Sequence, residues 1–101
     1  MKKIFLILII FFFNFKVLSN DKMLVGADIF NNKAMCGSCH ALQATGSESN
    51  IGPNLDMLKP QIDQIVYTVT NGIGVMPAWG DVLTIDEIEA VAYYVFTSTS
   101  K

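Results

Sequence analysis

The chain has 101 residues, of which 51 % are hydrophobic and 16 % are charged, so it is long enough for one domain and too apolar to be disordered. Its formal net charge is −2, with seven lysines, no arginine and nine acidic residues, which argues against nucleic acid as a partner. Three lysines lie before residue 20, so residues 20–101 keep four lysines against nine carboxylates, a net charge of −5. An acidic surface of this kind serves either solubility alone or encounter with partner proteins that carry a basic patch.

The first nineteen residues have the layout of a secretory signal peptide. Lys2 and Lys3 precede an unbroken apolar run at 4–13, and the small Ser19 closes an acceptable cleavage pattern. We therefore expect 1–19 to be removed and 20–101 to act as one domain in the periplasm. The alternative is an uncleaved N-terminal membrane anchor, although the apolar run is shorter than the roughly 18 residues that a spanning helix needs.

A helix is predicted at about 22–33, at the start of the mature chain. Val25, Ile29 and Phe30 lie along one apolar stripe at helical spacing. Gly26 lies one turn before Phe30, where the missing side chain lets a second helix cross closely.

Both cysteines and the single histidine of the chain occur in five consecutive residues, Cys36-Gly37-Ser38-Cys39-His40. This C-x-x-C-H pattern is the attachment signature of c-type haem, in which each thiol forms a thioether and the imidazole binds the iron. One helical turn carries both sulfurs and the imidazole along one porphyrin edge, and the two small residues let the backbone approach that edge.

Two other kinds of site use cysteine pairs, and each lacks a necessary part in this sequence. A thioredoxin-like redox site needs a strand before the C-x-x-C pair, whereas 28–33 is polar and helix-like. A zinc site needs a fourth ligand, and the chain has no second histidine or third cysteine. A covalent haem also suits a mature domain of 82 residues, whose apolar core alone is marginal.

The middle of the chain predicts an exposed loop and then a helix. Residues 45–54 are rich in glycine, serine and asparagine, which is typical of a loop. Pro60 can open a helix at its first position, and Asn71-Gly72 can end it. The β-branched residues at 65–70 also permit a strand, but the apolar periodicity favours a helix: Ile62, Ile65, Val66 and Val69.

A second iron ligand is predicted in the segment NGIGVMPAWG at 71–80. Its glycines and Pro77 describe a rigid, non-helical loop around Met76. A thioether sulfur is a soft ligand for low-spin iron, and opposite His40 it would complete six-coordination and raise the reduction potential.

Methionine is usually core filler, so the other internal methionines serve as comparisons. Met23 lies on the first helix, whose apolar face has a packing role, and Met35 adjoins the motif on the wrong side of the haem. Met57 is the main rival of Met76. Because two leucines flank Met57 in an apolar stretch, we interpret it as a packing residue and Met76 as the ligand.

The last predicted helix begins at Thr84. Thr84 and Glu87 fit a capping box, with Thr84 as the N-cap and Glu87 at the third helical position. An apolar stripe follows at three- and four-residue steps: Ile85, Ile88, Val91, Ala92, Val95 and Phe96.

Together, CGSCH, IGPNL at 51–55, VTNGIGVMPAW and TIDEIEAVAYYV resemble the small class I c-type cytochromes, particularly the cytochrome c6 and bacterial short-chain cytochrome c groups. The resemblance spans nearly all of 20–101. It implies an all-α class I cytochrome c fold, with three to four helices wrapped around one haem c. It also implies thioethers at Cys36 and Cys39 and axial ligation by His40 and Met76.

The same resemblance assigns roles around the haem. Pro53 matches the family proline whose carbonyl accepts a hydrogen bond from the ligating imidazole and so fixes its tautomer, although Gly-Pro is also an ordinary turn signal. Asn71 and Gly72 match the NG step before the methionine loop. Trp79 replaces the usual phenylalanine, and its indole either reaches a haem propionate or packs on the core.

The family's first and last helices cross, which predicts a specific contact in this chain. Gly26 and Phe30 are expected to meet Ala90, Tyr93 or Tyr94. Because arginine is absent, the haem propionates must be held by a lysine, a backbone group, Trp79 or a tyrosine.

If protein ligands fill both axial positions, the iron has no open site for oxygen or substrate, and outer-sphere electron exchange is the chemistry left. We therefore expect a monomeric one-electron carrier, not an enzyme, that serves periplasmic or membrane-bound redox proteins through small, transient contacts. One alternative is a subunit bound permanently to an oxidase or dehydrogenase, or attached to the membrane by an uncleaved N-terminus. Another is a haem enzyme or gas sensor, for which the chain has no second histidine to act as a distal acid or base.

Overall fold

The computed structural model describes residues 19–101, in which the regular secondary structure is helical and no strand occurs. It has four α-helices, in chain order: α1 (Ser19–Asp28), α2 (Leu55–Leu58), α3 (Ile62–Asn71) and α4 (Ile85–Thr99). The all-α prediction is confirmed. The predicted leader lies outside the described residues, apart from Ser19. Within 19–101, no helix combines the length and the apolar character needed to cross a membrane.

The predicted N-terminal helix is present, but its second half is wound more loosely. α1 runs directly into a π-helical turn at Ile29–Lys33, where Ala34 N–H donates to the Ile29 carbonyl over 2.8 Å. Ile29 and Phe30 are buried in this turn. The wider turn ends shortly before the C-x-x-C-H segment, and π turns of this kind occur frequently at functional sites.

The predicted crossing of the first and last helices is confirmed. A Cβ placed on Gly26 would lie 2.3 Å from the Ala90 carbonyl oxygen and 2.5 Å from Tyr94 Cβ. The rings of Phe30 and Tyr94 have centroids 6.0 Å apart and pack at a tilt. Only a residue without a side chain fits at position 26, so glycine sets the distance between α1 and α4.

The hydrophobic core lies between α4 and the elements packed on it. The π turn and α3 contribute buried side chains, Met23 and Ala27 of α1 pack against the core, and Leu42 adds a fully buried side chain from the loop after the C-x-x-C-H segment. The principal members are Ile29, Phe30, Leu42, Ile65, Val69, Leu83, Ile88, Val91, Ala92, Tyr94 and Val95.

The predicted helix in the middle segment is confirmed, but its start differs from the prediction. α3 begins at Ile62 with Gln61 as the N-cap, and Gln61 N–H approaches Gln64 Oε1 at 3.4 Å. Pro60 therefore precedes the cap instead of occupying the first helical position. Ile65 and Val69 are buried along one face, as the periodicity indicates, whereas Ile62, which the periodicity also places there, is exposed.

The capping box of α4 is confirmed. Glu87 N–H donates to Thr84 Oγ1 over 3.1 Å, and Thr84 N–H donates to Glu87 Oε1 over 2.9 Å. Lys33, at the end of the π turn, forms an ion pair with Glu87. The prediction that Ile85 belongs to the buried stripe is wrong: it is 78 % exposed, because the first helical residue after the cap points to solvent.

Glu87→Gln is expected to reduce the loss of stability in acid. The hydrogen bond from Lys33, and after it the one from Thr84 N–H, hold the pKa of Glu87 below 4.5. A carboxyl whose pKa is lowered by folding stabilises the fold above its unfolded pKa, and this contribution disappears as the pH falls through the folded pKa. Urea unfolding near pH 7 and near pH 3 should therefore show a smaller difference between the two conditions in the variant. Glu89→Gln, on the same helix, is the control, and an equal effect there would contradict the assignment.

Candidate haem-binding site

The C-x-x-C-H residues lie on one tight turn. Cys36–Ser38 forms a 3₁₀ turn, and the Cys36 carbonyl accepts from Cys39 N–H over 3.1 Å and from His40 N–H over 2.9 Å. Both thiols are free, with Cys36 half-buried and Cys39 exposed. The backbone thus presents two sulfurs and an imidazole within a single turn, as the motif predicts.

Burial raises the pKa of the Cys36 thiol from 9.0 to about 11. The thiol is therefore protonated near neutral pH. Burial thus disfavours the thiolate at Cys36, which is the form that oxidises most readily.

The imidazole of His40 is held in one tautomer by Pro53. His40 Nδ1 lies 2.8 Å from the Pro53 carbonyl oxygen. Since a carbonyl can only accept, Nδ1 is the donor, and in the neutral ring the lone pair that can bind a metal then lies on Nε2. A Cβ at Gly52 would lie 2.7 Å from His40 Cε1 and 2.9 Å from Nδ1, so a side chain there would displace the ring.

The main chain around His40 is tied to the segment that contains Pro53. Gly52 N–H donates to the Cys39 carbonyl over 2.7 Å, and Leu55 N–H donates to the Ala41 carbonyl over 3.0 Å. These two bonds place 39–41 beside 52–55. The bond between Pro53 and the imidazole is thereby supported on both sides.

Met76 lies in a loop that folds back on itself. Ile73 and Met76 exchange two main-chain hydrogen bonds, of 3.1 and 2.9 Å. Gly72 has a φ of +73°, and a Cβ there would lie 2.7 Å from the Met76 carbonyl oxygen. Glycine is required at position 72 on both grounds.

The same loop is fastened to the end of α3. Trp79 N–H donates to the Val69 carbonyl over 2.8 Å, and Gly80 N–H donates to the Thr70 carbonyl over 3.1 Å. Met76 and Trp79 are half-buried and pack against the core. The methionine is thus held by two separate sets of main-chain bonds.

Met57 is exposed, so our interpretation of it as a packing residue is wrong. Asn54 Oδ1 accepts from Met57 N–H over 3.2 Å and caps α2, a single turn that the sequence did not predict. This turn directs Leu55 into the core and leaves Met57 81 % exposed. The two rival methionines differ clearly: Met76 is packed in a braced loop, and Met57 is on the surface.

Asn71 does not bind the methionine loop. Its side-chain Nδ2 donates to the Tyr67 carbonyl over 2.9 Å, within α3. Of the two residues at 71–72, it is therefore Gly72 that shapes the methionine loop, because its positive φ starts the loop.

Apolar side chains that flank the candidate ligands in sequence are exposed. The most exposed is Val75, at 93 %, and Ile51 and Ile73 are also exposed. Exposed apolar residues beside candidate ligand groups are typical of a ligand site. Two free thiols, an imidazole with Nε2 available, a thioether and this apolar surface together fit a covalently attached haem.

The chain matches the family described as "Cytochrome C oxidase, cbb3-type, subunit III" over residues 21–95. Among its relatives, the chloroplastic cytochrome c6 of Chlamydomonas reinhardtii is 38 % identical over 82 residues, covering 71 % of this chain and 51 % of that protein. The cytochrome c6 of Microcystis aeruginosa is 39 % identical over 82 residues, covering 75 % of this chain and 96 % of that protein. The chain thus spans about half of the first relative and nearly all of the second.

A solved structure is also similar. The c-type cytochrome SorU from Sinorhizobium meliloti is 45 % identical and superposes with a TM-score of 0.74, covering 81 % of this chain and 95 % of that one. This likeness confirms the small cytochrome fold expected from the sequence. The chain therefore belongs to the c-type cytochromes of the cbb3-type subunit III family, and it carries a covalently attached c-type haem.

Proposed function

We propose that this chain is a one-electron carrier with His40 and Met76 as the axial ligands of a single haem. The cytochrome c6 relatives and the likeness to SorU support a haem-based electron carrier. The observation that carries the proposal is the hydrogen bond between His40 Nδ1 and the Pro53 carbonyl, because it leaves Nε2 as the ring nitrogen that is available to bind iron. The braced loop around Met76 supports the second ligand.

Each residue of the site has a distinct role in this proposal. When bound, the haem supplies reversible one-electron chemistry at its iron. Cys36 and Cys39 attach it, and Pro53 orients the imidazole of His40. Two protein ligands leave no position for oxygen or substrate, which is why we propose a carrier and not an enzyme.

We further propose that residues 1–19 are a cleaved leader and that 20–101 acts in the periplasm as a monomer. Mass analysis of the exported holoprotein should give a chain that begins near residue 20 and carries one haem. A full-length chain recovered with the membrane would contradict cleavage and would favour an anchored cytochrome.

Permanent attachment to an oxidase is the second candidate, favoured by the description of the matched family. A carrier should be recovered free of partner subunits after gentle lysis, whereas an oxidase subunit should co-purify with the enzyme in constant ratio. This purification experiment distinguishes a free carrier from an oxidase subunit without relying on the haem spectrum.

The charges support a partner with a basic surface. Residues 20–101 carry a net charge of −5. Three of the four lysines in this range are engaged: Lys33 pairs with Glu87, Lys59 donates to the Thr99 carbonyl over 3.0 Å, and Lys22 lies 5.6 Å from the Tyr93 ring centroid. Most of the carboxylates are therefore left to attract a cationic partner.

Two small oxidants of opposite charge test the proposed exchange and its electrostatics. The reduced holoprotein is mixed with a cationic cobalt(III) complex or with anionic ferricyanide at rising ionic strength. The rate with the cation should fall with salt, and the rate with the anion should rise, because screening removes attraction and repulsion respectively. Salt dependences of the opposite sign would contradict the basic-partner proposal, and a redox titration that departs from one electron would contradict the carrier.

A further inference from the structure

The three successive main-chain carbonyls at 39–41 are hydrogen-bonded, and the partner of one of them differs in kind from the partners of the other two. The carbonyls of Cys39 and Ala41 accept from main-chain N–H groups of the 52–55 segment. The carbonyl of His40 accepts from a side chain, the hydroxyl of Ser47, over 3.0 Å. A substitution of Ser47 can therefore remove this bond, together with the 2.9 Å contact between the Ser47 and Thr45 hydroxyls, and leave the backbone bonds in place.

The loop that carries Ser47 is closed on itself. Leu42 N–H donates to the Ser47 carbonyl over 3.1 Å, and Thr45 Oγ1 donates to the Leu42 carbonyl over 3.0 Å. Leu42 is fully buried and fixes the start of the loop in the core. The sequence predicts only an exposed loop from residue 45 onward, but Thr45 and Ser47 are half-buried against the motif.

Space for the Ser47 side chain is provided inside the motif. A Cβ at Gly37 would lie 3.1 Å from Ser47 Cβ and 3.3 Å from Ser47 Oγ. These distances are tighter than ordinary contacts, so a side chain at position 37 would require Ser47 to shift by a few tenths of an ångström. Glycine at this variable position of C-x-x-C-H is thus matched to the serine ten residues later.

We propose that Ser47 is a positioning residue for His40: its hydroxyl holds the main chain of the iron ligand, and Gly37 gives it the room to do so. The Ser47 hydroxyl donates to the His40 main-chain carbonyl, and the His40 ring Nδ1–H donates to the Pro53 carbonyl, so the residue is held both at its main chain and at its ring. Loss of the first bond loosens the second. This inference rests on the proposed role of His40 as an axial ligand.

Hydrogen exchange in the wild-type holoprotein and in Ser47→Ala tests the proposal. The exchange rate of the His40 Nδ1 proton should rise about tenfold in Ser47→Ala, as expected for the loss of one hydrogen bond. The amides of Val91 and Ala92, in the core of α4, should change by less than about twofold. The NMR chemical shifts of the haem methyl groups and the midpoint potential should change in the same variants in which the His40 exchange rate rises, because both depend on the orientation of the imidazole.

Three further variants complete the test. Ser49→Ala, in the same loop, is the matched control and should behave like the wild type. Ser47→Thr keeps a hydroxyl and should restore slow exchange. Gly37→Ala displaces the serine without removing its hydroxyl, so it should reproduce the fast exchange and provides a second route if Ser47→Ala does not fold.

Two outcomes overturn the positioning role in different ways. Equal acceleration at His40 and at the α4 amides means that Ser47 adds only to global stability, and the carrier proposal then survives. If the wild-type spectrum lacks imidazole ligation, the proposed function fails, and the role of Ser47 fails with it.

Discussion

Met76→Ala is expected to open the iron of the reduced holoprotein to carbon monoxide. Met76 is the proposed second axial ligand and lies half-buried in a loop held by main-chain bonds to Ile73, Val69 and Thr70. Its replacement would remove that ligand and leave the attachment of the haem through the two cysteines intact. The reduction potential should fall by on the order of a few hundred millivolts, because axial ligands set much of the range of haem potentials. Visible spectra with and without carbon monoxide and a potentiometric titration measure both effects.

Met57→Ala is the matched control, since it removes an exposed thioether from α2. It should bind no more carbon monoxide than the wild type and should keep its potential. If Met57→Ala opens the iron and Met76→Ala does not, the two methionines have been assigned the wrong way round.

Gly26→Ala is expected to cause the largest loss of stability among single methyl additions. The new Cβ would meet the Ala90 carbonyl oxygen at 2.3 Å and Tyr94 Cβ at 2.5 Å, so α1 and α4 must move apart. Overpacking of this kind costs about 3 kcal/mol, and the better helix propensity of alanine offsets about 1 kcal/mol of it. Thermal unfolding of the holoprotein should show a Tm lower by roughly 10–15 °C.

Gly46→Ala separates this steric effect from the general cost of adding a side chain to glycine. Gly46 has a φ of +76°, and a Cβ at this position would have no neighbouring atom within 4 Å, so only backbone strain of about 1 kcal/mol is expected. A loss of stability at Gly46 that equals or exceeds the loss at Gly26 would contradict the close helix crossing.

The features predicted correctly from the sequence are those that short-range patterns or the family resemblance determine. Thr84 and Glu87 form the predicted capping box because both of its hydrogen bonds lie within residues 84–87 and need no contact with the rest of the chain. The contact of Gly26 with α4 followed from the family resemblance, and a glycine one turn before Phe30 agrees with it. The C-x-x-C-H turn is local as well.

The features missed depend on helix caps and a loop closure that the apolar pattern does not encode. Met57 lies between two leucines, but the cap from Asn54 rotates it outward, and neither the cap nor α2 was predicted. Ile85 fits the apolar period, yet its position beside the cap exposes it. The role of Ser47 becomes visible only when the loop closes on His40, since no sequence pattern links a serine to a carbonyl seven residues earlier.

The most direct test of the haem site is the absorption spectrum of the purified, reduced wild-type holoprotein before and after addition of carbon monoxide. If His40 and Met76 both bind the iron, the spectrum is that of six-coordinate low-spin haem and carbon monoxide leaves it unchanged. A large shift on addition of carbon monoxide would show an open axial position and contradict the proposed ligation.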